Sequence, residues 1–199
     1  MTNPEIPTHT IPKEKGEALI ALARTTIGEK LGLDVPLSKT AAKQLEDAFF
    51  ETKRGMFVTL TMDNELRGCM GNLSSDESIV HGVKSNALNA AFHDPRFPPL
   101  SREEFEKTEV EISLLTEPEP LTFSGPEELL SQLRPTIDGV ILRKEAASST
   151  FLPQVWEQLP GKEVFLEHLC RKAGLPGNAW QKPGITVLTY QVQYFPGKR

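Results

Sequence analysis

The sequence has 199 residues, a formal net charge of −5 and an apolar content of 38%. This balance is ordinary for a globular protein, and the acidic charge argues against a general nucleic-acid coat. Its two cysteines, Cys69 and Cys170, lie far apart, so no disulfide framework is expected and a reducing cytoplasm is the predicted location. No signal peptide or membrane span is predicted, because the apolar stretch at 18–23 is short and ends at Arg24.

The first part of the chain predicts helices and one hairpin. Periodic apolar residues indicate the helices, and Ser38 is placed to cap the second of them. The first helix is expected to turn inward Leu19, Leu22, Ala23 and Ile27. The predicted elements, in order, are a loose arm at 1–12, helices at 13–30 and 38–52, a hairpin that begins with a strand at 56–62, and a helix at 77–92.

The second part mixes strands with short helices. A capping-box spacing from Ser124 to Glu127 predicts a helix start, and Gly174 predicts a helix end. The predicted elements are strands at 109–115, 137–142, 150–152 and 185–195, and helices from 124, at 154–159 and at 162–173. Helices and hairpins without strict strand–helix alternation favour an α+β fold with antiparallel sheets.

Two loop lengths fit the turn of the hairpin. A two-residue loop would pair Leu60 with Arg67 and place the arginine on the apolar face. A three-residue loop pairs Met62 with Leu66 and Leu60 with Gly68, so that apolar residues agree across the strands. Because register normally follows the apolar face, we predict the three-residue loop.

In that register the Cys69 thiol and the Arg67 guanidinium lie two residues apart on the face opposite the core, together with Thr59. An arginine close to a thiol favours the thiolate, which is the reactive form, and Gly68 and Gly71 would let a ligand approach the backbone. Cys69 is therefore the candidate nucleophile or redox thiol, and the arginine and the two glycines are candidate substrate-binding residues. The alternative is that Cys69 serves packing, since cysteine is among the most buried residue types.

The loop after the third helix supplies further candidates. His93 is the candidate catalytic base for the thiol, and Asp94 and Arg96 are candidate substrate-binding residues for an anion. A structural interpretation stays open as well, in which Asp94 holds the turn at Pro95 and Arg96 bonds nearby carbonyls.

Glu111 is the remaining catalytic candidate. The strand at 109–115 places Glu109 and Glu111 on the face opposite its apolar residues, where carboxylates act in acid–base chemistry or are simply solvated. Glu111 lies in the middle of the strand and is the better candidate of the two. Cys170 follows the apolar stripe of its helix and is assigned to the core. The histidines and cysteines contain no ligand pair at a usual spacing, His168 and Cys170 included, so no metal is predicted. The sequence also contains no phosphate-binding glycine loop, and no cofactor is predicted.

Several blocks of the sequence occur together in an order that is more specific than any one motif. They are 55–61 with 66–71 (Leu-Arg-Gly-Cys-Met-Gly), 94–100, 109–115, 137–142, 151–155, and 166–175 with Trp180. In this order they resemble the AMMECR domain family over about residues 15–195. Met70 departs from the isoleucine usual in that family, which exchanges one apolar residue for another.

The resemblance implies an α+β fold of two lobes, with antiparallel sheets, flanking helices and a cleft between the lobes. A loose arm at 1–12 would precede a domain at 13–195 in which the two lobes interleave. The resemblance also implies Memo-like and radical SAM proteins as partners, and it implies no particular reaction.

Two functions of different classes remain open at this point. In the first, the protein is an enzyme or enzyme component that acts through Cys69 on a small anionic substrate held by Arg67 and Arg96. In the second, it is a non-catalytic binding module for a protein partner or nucleic acid. The arginine beside the thiol favours the enzyme, and the lack of a clear base favours the module. Nucleic acid is the less favoured partner, because the sheet lacks the aromatic stacking pattern of RNA-binding domains.

Overall fold

The structure is a computed structural model that describes residues 10–74 and 76–197. Its α-helices are α1 (Lys13–Leu31), α2 (Lys39–Leu45), α3 (Ile79–Phe92), α4 (Arg102–Lys107), α5 (Pro126–Gln132), α6 (Val155–Gln158) and α7 (Lys162–Lys172). Short 3-10 helices cover Ala48–Glu51 and Ala179–Gln181. The strands are β1 (Met56–Met62), β2 (Glu65–Asn72), β3 (Glu109–Leu115), β4 (Glu119–Pro120), β5 (Gly139–Lys144), β6 (Ala147–Phe151), β7 (Thr186–Tyr190) and β8 (Val192–Pro196).

The chain forms two compact units. The first comprises Met1–Leu115 with Gln193–Arg199, and the second comprises Thr116–Val192. Two four-stranded sheets are present in the described residues, with strand orders β2-β1-β3-β8 and β4-β7-β5-β6. The predicted α+β class, with antiparallel sheets and flanking helices, is confirmed.

The core of the first unit lies between one face of its sheet and the helices α1 and α3. The four residues of α1 that were expected to face inward are all buried, which confirms the predicted helix face. Val58 and Leu60 of β1, together with Ile112 of β3, meet these helices from the sheet. Burial of each side chain of this size stabilises the folded state by about 1.5–3 kcal/mol. The core therefore fixes which face of the sheet packs against the helices.

Two helices differ from the prediction. The helix expected at 38–52 is interrupted, because the Asp47 carboxylate accepts a hydrogen bond from the N–H of Phe49 and starts a separate 3-10 turn. Helix α4 is absent from the predicted elements, although Ser101 and Glu104 form a reciprocal capping box at its start. That Ser-x-x-Glu spacing was the sequence signal for α4.

The predicted strand at 185–195 is wrong as a single element, because it is two strands in different sheets. β7 belongs to the second sheet and β8 to the first. Gln191 lies between the two strands. Its N–H donates to the Thr116 hydroxyl, and the carbonyl of Gln191 accepts from the N–H of Thr116. This exchange of hydrogen bonds diverts the chain from one sheet to the other.

The described end of the predicted N-terminal arm is held to the first sheet. Ile11 is buried, and its N–H and carbonyl both bond the side-chain amide of Gln193 at 2.9 and 2.8 Å. Residues 1–9 of that arm lie outside the described part of the chain.

Candidate functional site

The hairpin of β1 and β2 carries Cys69. The two strands are joined by Asp63 and Asn64, whose φ angles of 54° and 64° are those of a two-residue hairpin turn. Met62 pairs with Glu65 at the tip. The predicted three-residue loop is therefore wrong, because the short polar side chains of this turn tolerate the left-handed conformation it needs.

A β-bulge then restores the register that was predicted for the rest of the hairpin. The pairing shifts beside Leu60, so Arg67 is the additional residue of β2, and Leu60 pairs with Gly68. From there the predicted partners are confirmed, with Val58 opposite Met70. The bulge thus allows a two-residue turn to coexist with an apolar face that matches across both strands.

The bulge directs Arg67 into a buried clamp. Its side chain is 7% exposed, and its Nε and Nη2 each lie 3.0 Å from an oxygen of the Glu104 carboxylate. Nη2 also donates to the carbonyl of Pro98 at 2.9 Å. The buried Nη1 has no hydrogen-bond partner among the described residues. These contacts tie β2 to α4, and they do not support the predicted use of Arg67 as a substrate ligand beside the thiol.

Cys69 lies in a row of three side chains that crosses β2, β1 and β3. It is paired with Thr59, and Thr59 is paired with Glu111. The Thr59 hydroxyl donates a hydrogen bond to Sγ of Cys69 at 3.4 Å. All three residues are half-buried, and Thr59 and Glu111 alternate along their strands with buried core residues. The row therefore lies on the face of the sheet that α1 and α3 do not cover.

A second set of contacts holds the backbone of Cys69 from the edge of the sheet. The N–H of Cys69 donates to Asp94 Oδ2 at 2.9 Å, and Nη2 of Arg96 donates to the Cys69 carbonyl at 3.2 Å. Nε and Nη2 of Arg96 in turn donate to the two Asp94 oxygens at 2.9 and 2.7 Å. We call this arrangement of Asp94 and Arg96 the edge clip. Because β2 is an edge strand, the clip satisfies backbone groups that would otherwise be open to another strand.

The edge clip also stabilises the charged forms of Asp94 and Arg96 near the thiol. The Asp94 carboxylate is 2% exposed, and the hydrogen bond from Arg96 holds the pKa of Asp94 well below its usual range, against the opposing effect of burial. The same bond raises the pKa of Arg96, with a smaller contribution from Cys69. The Arg96 side chain is 53% exposed. The structure thus brings Asp94 and Arg96 to Cys69 as predicted, but through its backbone, as the structural interpretation of the loop expected.

The two candidate acid–base residues differ in their relation to the thiol. Glu111 belongs to the row, and burial raises the pKa of its carboxyl. His93 is exposed and caps the C-terminal end of α3, where its Nδ1 lies 3.2 Å from the Asn89 side-chain oxygen. In the described residues no hydrogen bond joins His93 to Cys69, so the predicted role of His93 as its base has no support from this geometry.

Packing accounts for both glycines of the motif. A Cβ atom at Gly68 would lie 2.2 Å from the carbonyl oxygen of Ala90 in α3. One at Gly71 would lie 2.2 Å from the carbonyl oxygen of Met56 in β1. Close approach of other backbone segments therefore requires these glycines, and their predicted contact with a substrate stays a prediction.

The second thiol has a different environment. Cys170 of α7 is fully buried in the apolar core of the second unit, which confirms its predicted placement, and burial raises its pKa. Within residues 10–74 and 76–197 no group of three or more His, Cys, Asp or Glu side chains is arranged to hold a metal ion. In the same residues no helix is long and apolar enough to cross a membrane.

Two residues of the site were not among the predicted site residues. Thr59 was placed on the correct face of β1, and the signal for its role was its position opposite the thiol. Glu104 was missed because α4 was missed, and the capping box was again the signal. Glu104 joins the site through a contact between separate parts of the chain, whereas Thr59 joins it through pairing within the hairpin.

Comparison with known proteins shows that the chain is similar to the members of one family. A family model described as AMMECR1 matches residues 20–195. A protein of Methanothermobacter thermautotrophicus is 36% identical over 93% of this chain and 95% of its own length. A protein of Methanosarcina acetivorans is 37% identical over 94% of each chain. The crystal structure of the uncharacterized protein PH0010 from Pyrococcus horikoshii is 34% identical, covers 92% of both chains and superposes with a TM-score of 0.74. The predicted family resemblance is confirmed.

Proposed function

The chain belongs to the AMMECR1 family, and we propose that it is a thiol-dependent enzyme or enzyme component whose nucleophile is Cys69. The observation that carries this proposal is the row formed by Cys69, Thr59 and Glu111 across three strands. It places a thiol, a hydroxyl bonded to that thiol and a carboxyl of altered acidity on one sheet face outside the core.

Two groups around Sγ can interact with negative charge that develops on it. The Thr59 hydroxyl donates a hydrogen bond to Sγ. Arg96 lies close enough to Cys69 for the two groups to interact electrostatically. The half-exposed Arg96 also supplies the positive charge that an anionic substrate requires.

Glu111 is suited to exchange a proton with the substrate. Burial favours the neutral carboxyl, so at a given pH a larger fraction of Glu111 is protonated than of an ordinary glutamate. In the proposed step the Sγ–carbon bond forms, the bond from that carbon to the leaving group breaks, and Glu111 gives its proton to the leaving group. The thiolate and the acid are consumed, and a covalent intermediate and a carboxylate result.

The non-catalytic binding module is the second candidate, and one observation favours it. Both arginines of the motif have intramolecular carboxylate partners, Arg67 with Glu104 and Arg96 with Asp94. In that case the sheet face that carries the row recognises a protein partner, for which the family resemblance suggests a Memo-like or radical SAM protein. Cys69 would then be a packing residue without enhanced reactivity.

Thiol labelling distinguishes the two candidates. The native protein is treated with iodoacetamide at fixed pH, and the rate of labelling at each cysteine is followed by peptide mass spectrometry. We expect Cys69 to label in the folded protein and to label faster than the buried Cys170. Thr59→Val removes the donor to Sγ and should slow the labelling of Cys69, whereas Thr59→Ser should restore the rate. Thr61→Val, two residues along the same strand, is the matched control and should leave it unchanged.

Two results would reject the enzyme proposal. One is labelling of Cys69 only after unfolding. The other is a labelling rate of Cys69 that is the same in the wild-type protein and in Thr59→Val. Either result would leave the binding module as the better interpretation.

A further inference from the structure

A groove of about 650 Å³ lies between α1 and β8 in the first unit. The strand order places it at the β8 edge of the sheet, with β1 and β3 between this edge and the strand that carries Cys69. The groove is lined by Lys13, Glu17, Ile20, Ala21, Arg24 and residues 193–197. It is therefore a separate feature from the proposed thiol site, and nothing about it depends on Cys69.

The helical wall of the groove is one face of α1. Its residues recur at spacings of four, three, one and three positions, which places them along a single stripe. From Lys13 to Arg24 this stripe is about 16 Å long. A groove of this length and volume is in the range of small-molecule sites, which are mostly apolar with a few polar groups that fix orientation.

The strand wall is held firmly against the helix. A Cβ atom at Gly16 would lie 1.9 Å from the ring of Phe195, so the missing side chain allows the aromatic ring to rest on the helix backbone. Phe195 is buried in the core of the unit, while Tyr194 beside it is 38% exposed. The groove is thus a preformed feature with an apolar floor.

Arg24 stands at one end of this apolar floor. Its Nη1 donates to the Thr108 carbonyl at 2.6 Å, and its guanidinium lies 4.7 Å from the centre of the Phe105 ring. It is half-buried, and burial lowers its pKa, which means that its positive charge is incompletely solvated. At the other end, Lys13 pairs with Glu17.

No carboxylate pairs with Arg24 within residues 10–74 and 76–197. A partly buried cation without an ion-pair partner is costly unless an anion reaches it, and a guanidinium binds a carboxylate with two parallel hydrogen bonds. The carbonyl and the aromatic ring fix the guanidinium in place, so little side-chain freedom is lost when an anion binds.

We propose that this groove binds a small amphipathic carboxylate, with its apolar body against Ile20, Ala21 and Pro196 and its carboxylate on the guanidinium of Arg24. The length of the stripe suits a linear chain of medium length. Charge complementarity selects an anion over a cation, and the apolar floor selects a molecule with an apolar body over a small polar acid.

Isothermal titration calorimetry with octanoate tests the proposal on the full chain. We expect saturable binding with a sub-millimolar Kd. Octanol, which keeps the chain and lacks the charge, should bind at least about tenfold more weakly, because the desolvated guanidinium would then be left without an anion. This comparison uses the unmodified protein, so it does not depend on whether a variant folds.

Three variants locate the ligand. Arg24→Gln should weaken octanoate binding at least about tenfold, and Ala21→Trp should abolish it by filling the groove. Lys30→Gln removes a charge from the same helix outside the groove and should leave the Kd within about twofold. Circular dichroism verifies that each variant is folded. Absence of saturable binding, equal binding of octanol, or unchanged binding in folded Ala21→Trp or Arg24→Gln would overturn the proposal.

Discussion

The two cysteines occupy regions whose structures are determined in different ways. Cys69 lies on a half-buried sheet face, and its backbone and thiol are held by polar groups from β1 and from the edge clip. Cys170 lies on α7 in an apolar core and is fully buried. Around Cys69, backbone spacing and hydrogen bonds fix the geometry, whereas Cys170 is enclosed by packed side chains and by the backbone N–H groups of Trp180 and Ala179. The thiol of Cys69 is thus partly exposed to solvent, and that of Cys170 is shielded from it.

Gly68→Ala should disrupt the first region most strongly. The added Cβ would lie 2.2 Å from a backbone carbonyl of α3, which cannot move aside as a flexible side chain could. We expect a loss of about 3 kcal/mol in the free energy of unfolding of the first unit. Urea unfolding followed by circular dichroism measures it, since both tryptophans, Trp156 and Trp180, report on the second unit.

Gly125→Ala is the matched control for that variant. A Cβ at Gly125 meets no atom within 4 Å, so its cost should stay below about 1 kcal/mol. Equal losses in the two glycine variants would contradict the close approach of β2 to α3.

A pair of serine substitutions compares the two thiols directly. Cys170→Ser places a hydroxyl in an apolar core, where the backbone N–H groups of Trp180 and Ala179 can still bond it, and should cost about 1 kcal/mol, measured by tryptophan fluorescence during urea unfolding. Cys69→Ser should cost less than about 0.5 kcal/mol, because the Thr59 hydroxyl can bond the new oxygen. The reverse order of the two costs would show that Cys69 is the packing residue.

Asp94→Asn tests the edge clip. The substitution removes the charge that binds Arg96 and the N–H of Cys69, and should cost about 1.5 kcal/mol at neutral pH. The pKa of Asp94 is lowered by folding, so its stabilising effect is present above the pKa of the unfolded chain and is lost as the pH falls through the folded pKa. The difference between wild type and variant should therefore shrink below about pH 4. A difference that is constant down to pH 3 would count against an ionised Asp94.

Glu111→Gln should have the smallest effect on stability. Its dependence on pH should be opposite to that of Asp94→Asn. Because burial raises the pKa of Glu111, the folded protein loses stability as the pH rises from the unfolded pKa through the folded one. The variant lacks this loss. Between pH 4 and pH 7 its free energy of unfolding, measured with urea, should therefore fall less than that of the wild type.

The same Glu111 variant should label at Cys69 at the same rate as wild type, because in the proposed step Glu111 protonates the leaving group and does not take the thiol proton. Slower labelling in Glu111→Gln would mean that Glu111 takes the thiol proton itself, and it would require a different assignment of roles in the row.

Periodicity accounts for the parts that could be predicted. The inward face of α1 and the core position of Cys170 followed from apolar spacing alone, because a side chain's face depends on the geometry of its own element. The alternation of β3 likewise placed Glu111 away from the core. The predicted strand at 185–195 failed because one extended pattern does not show that Gln191 bonds Thr116 and passes the chain between two sheets.

By itself the sequence determined the family, the α+β class, the core faces and the identity of the thiol motif, because local periodicity and ordered motifs carry this information. Tertiary structure decided the rest. In the β1–β2 hairpin, the turn residues favoured one strand register and the apolar residues favoured another. A bulge at Arg67 satisfies both, and its side chain bonds Glu104 in α4, 37 residues along the chain. Likewise, only strand pairing brought Thr59 and Glu111 into one row with Cys69, since cross-strand contacts depend on pairing partners that no single segment specifies.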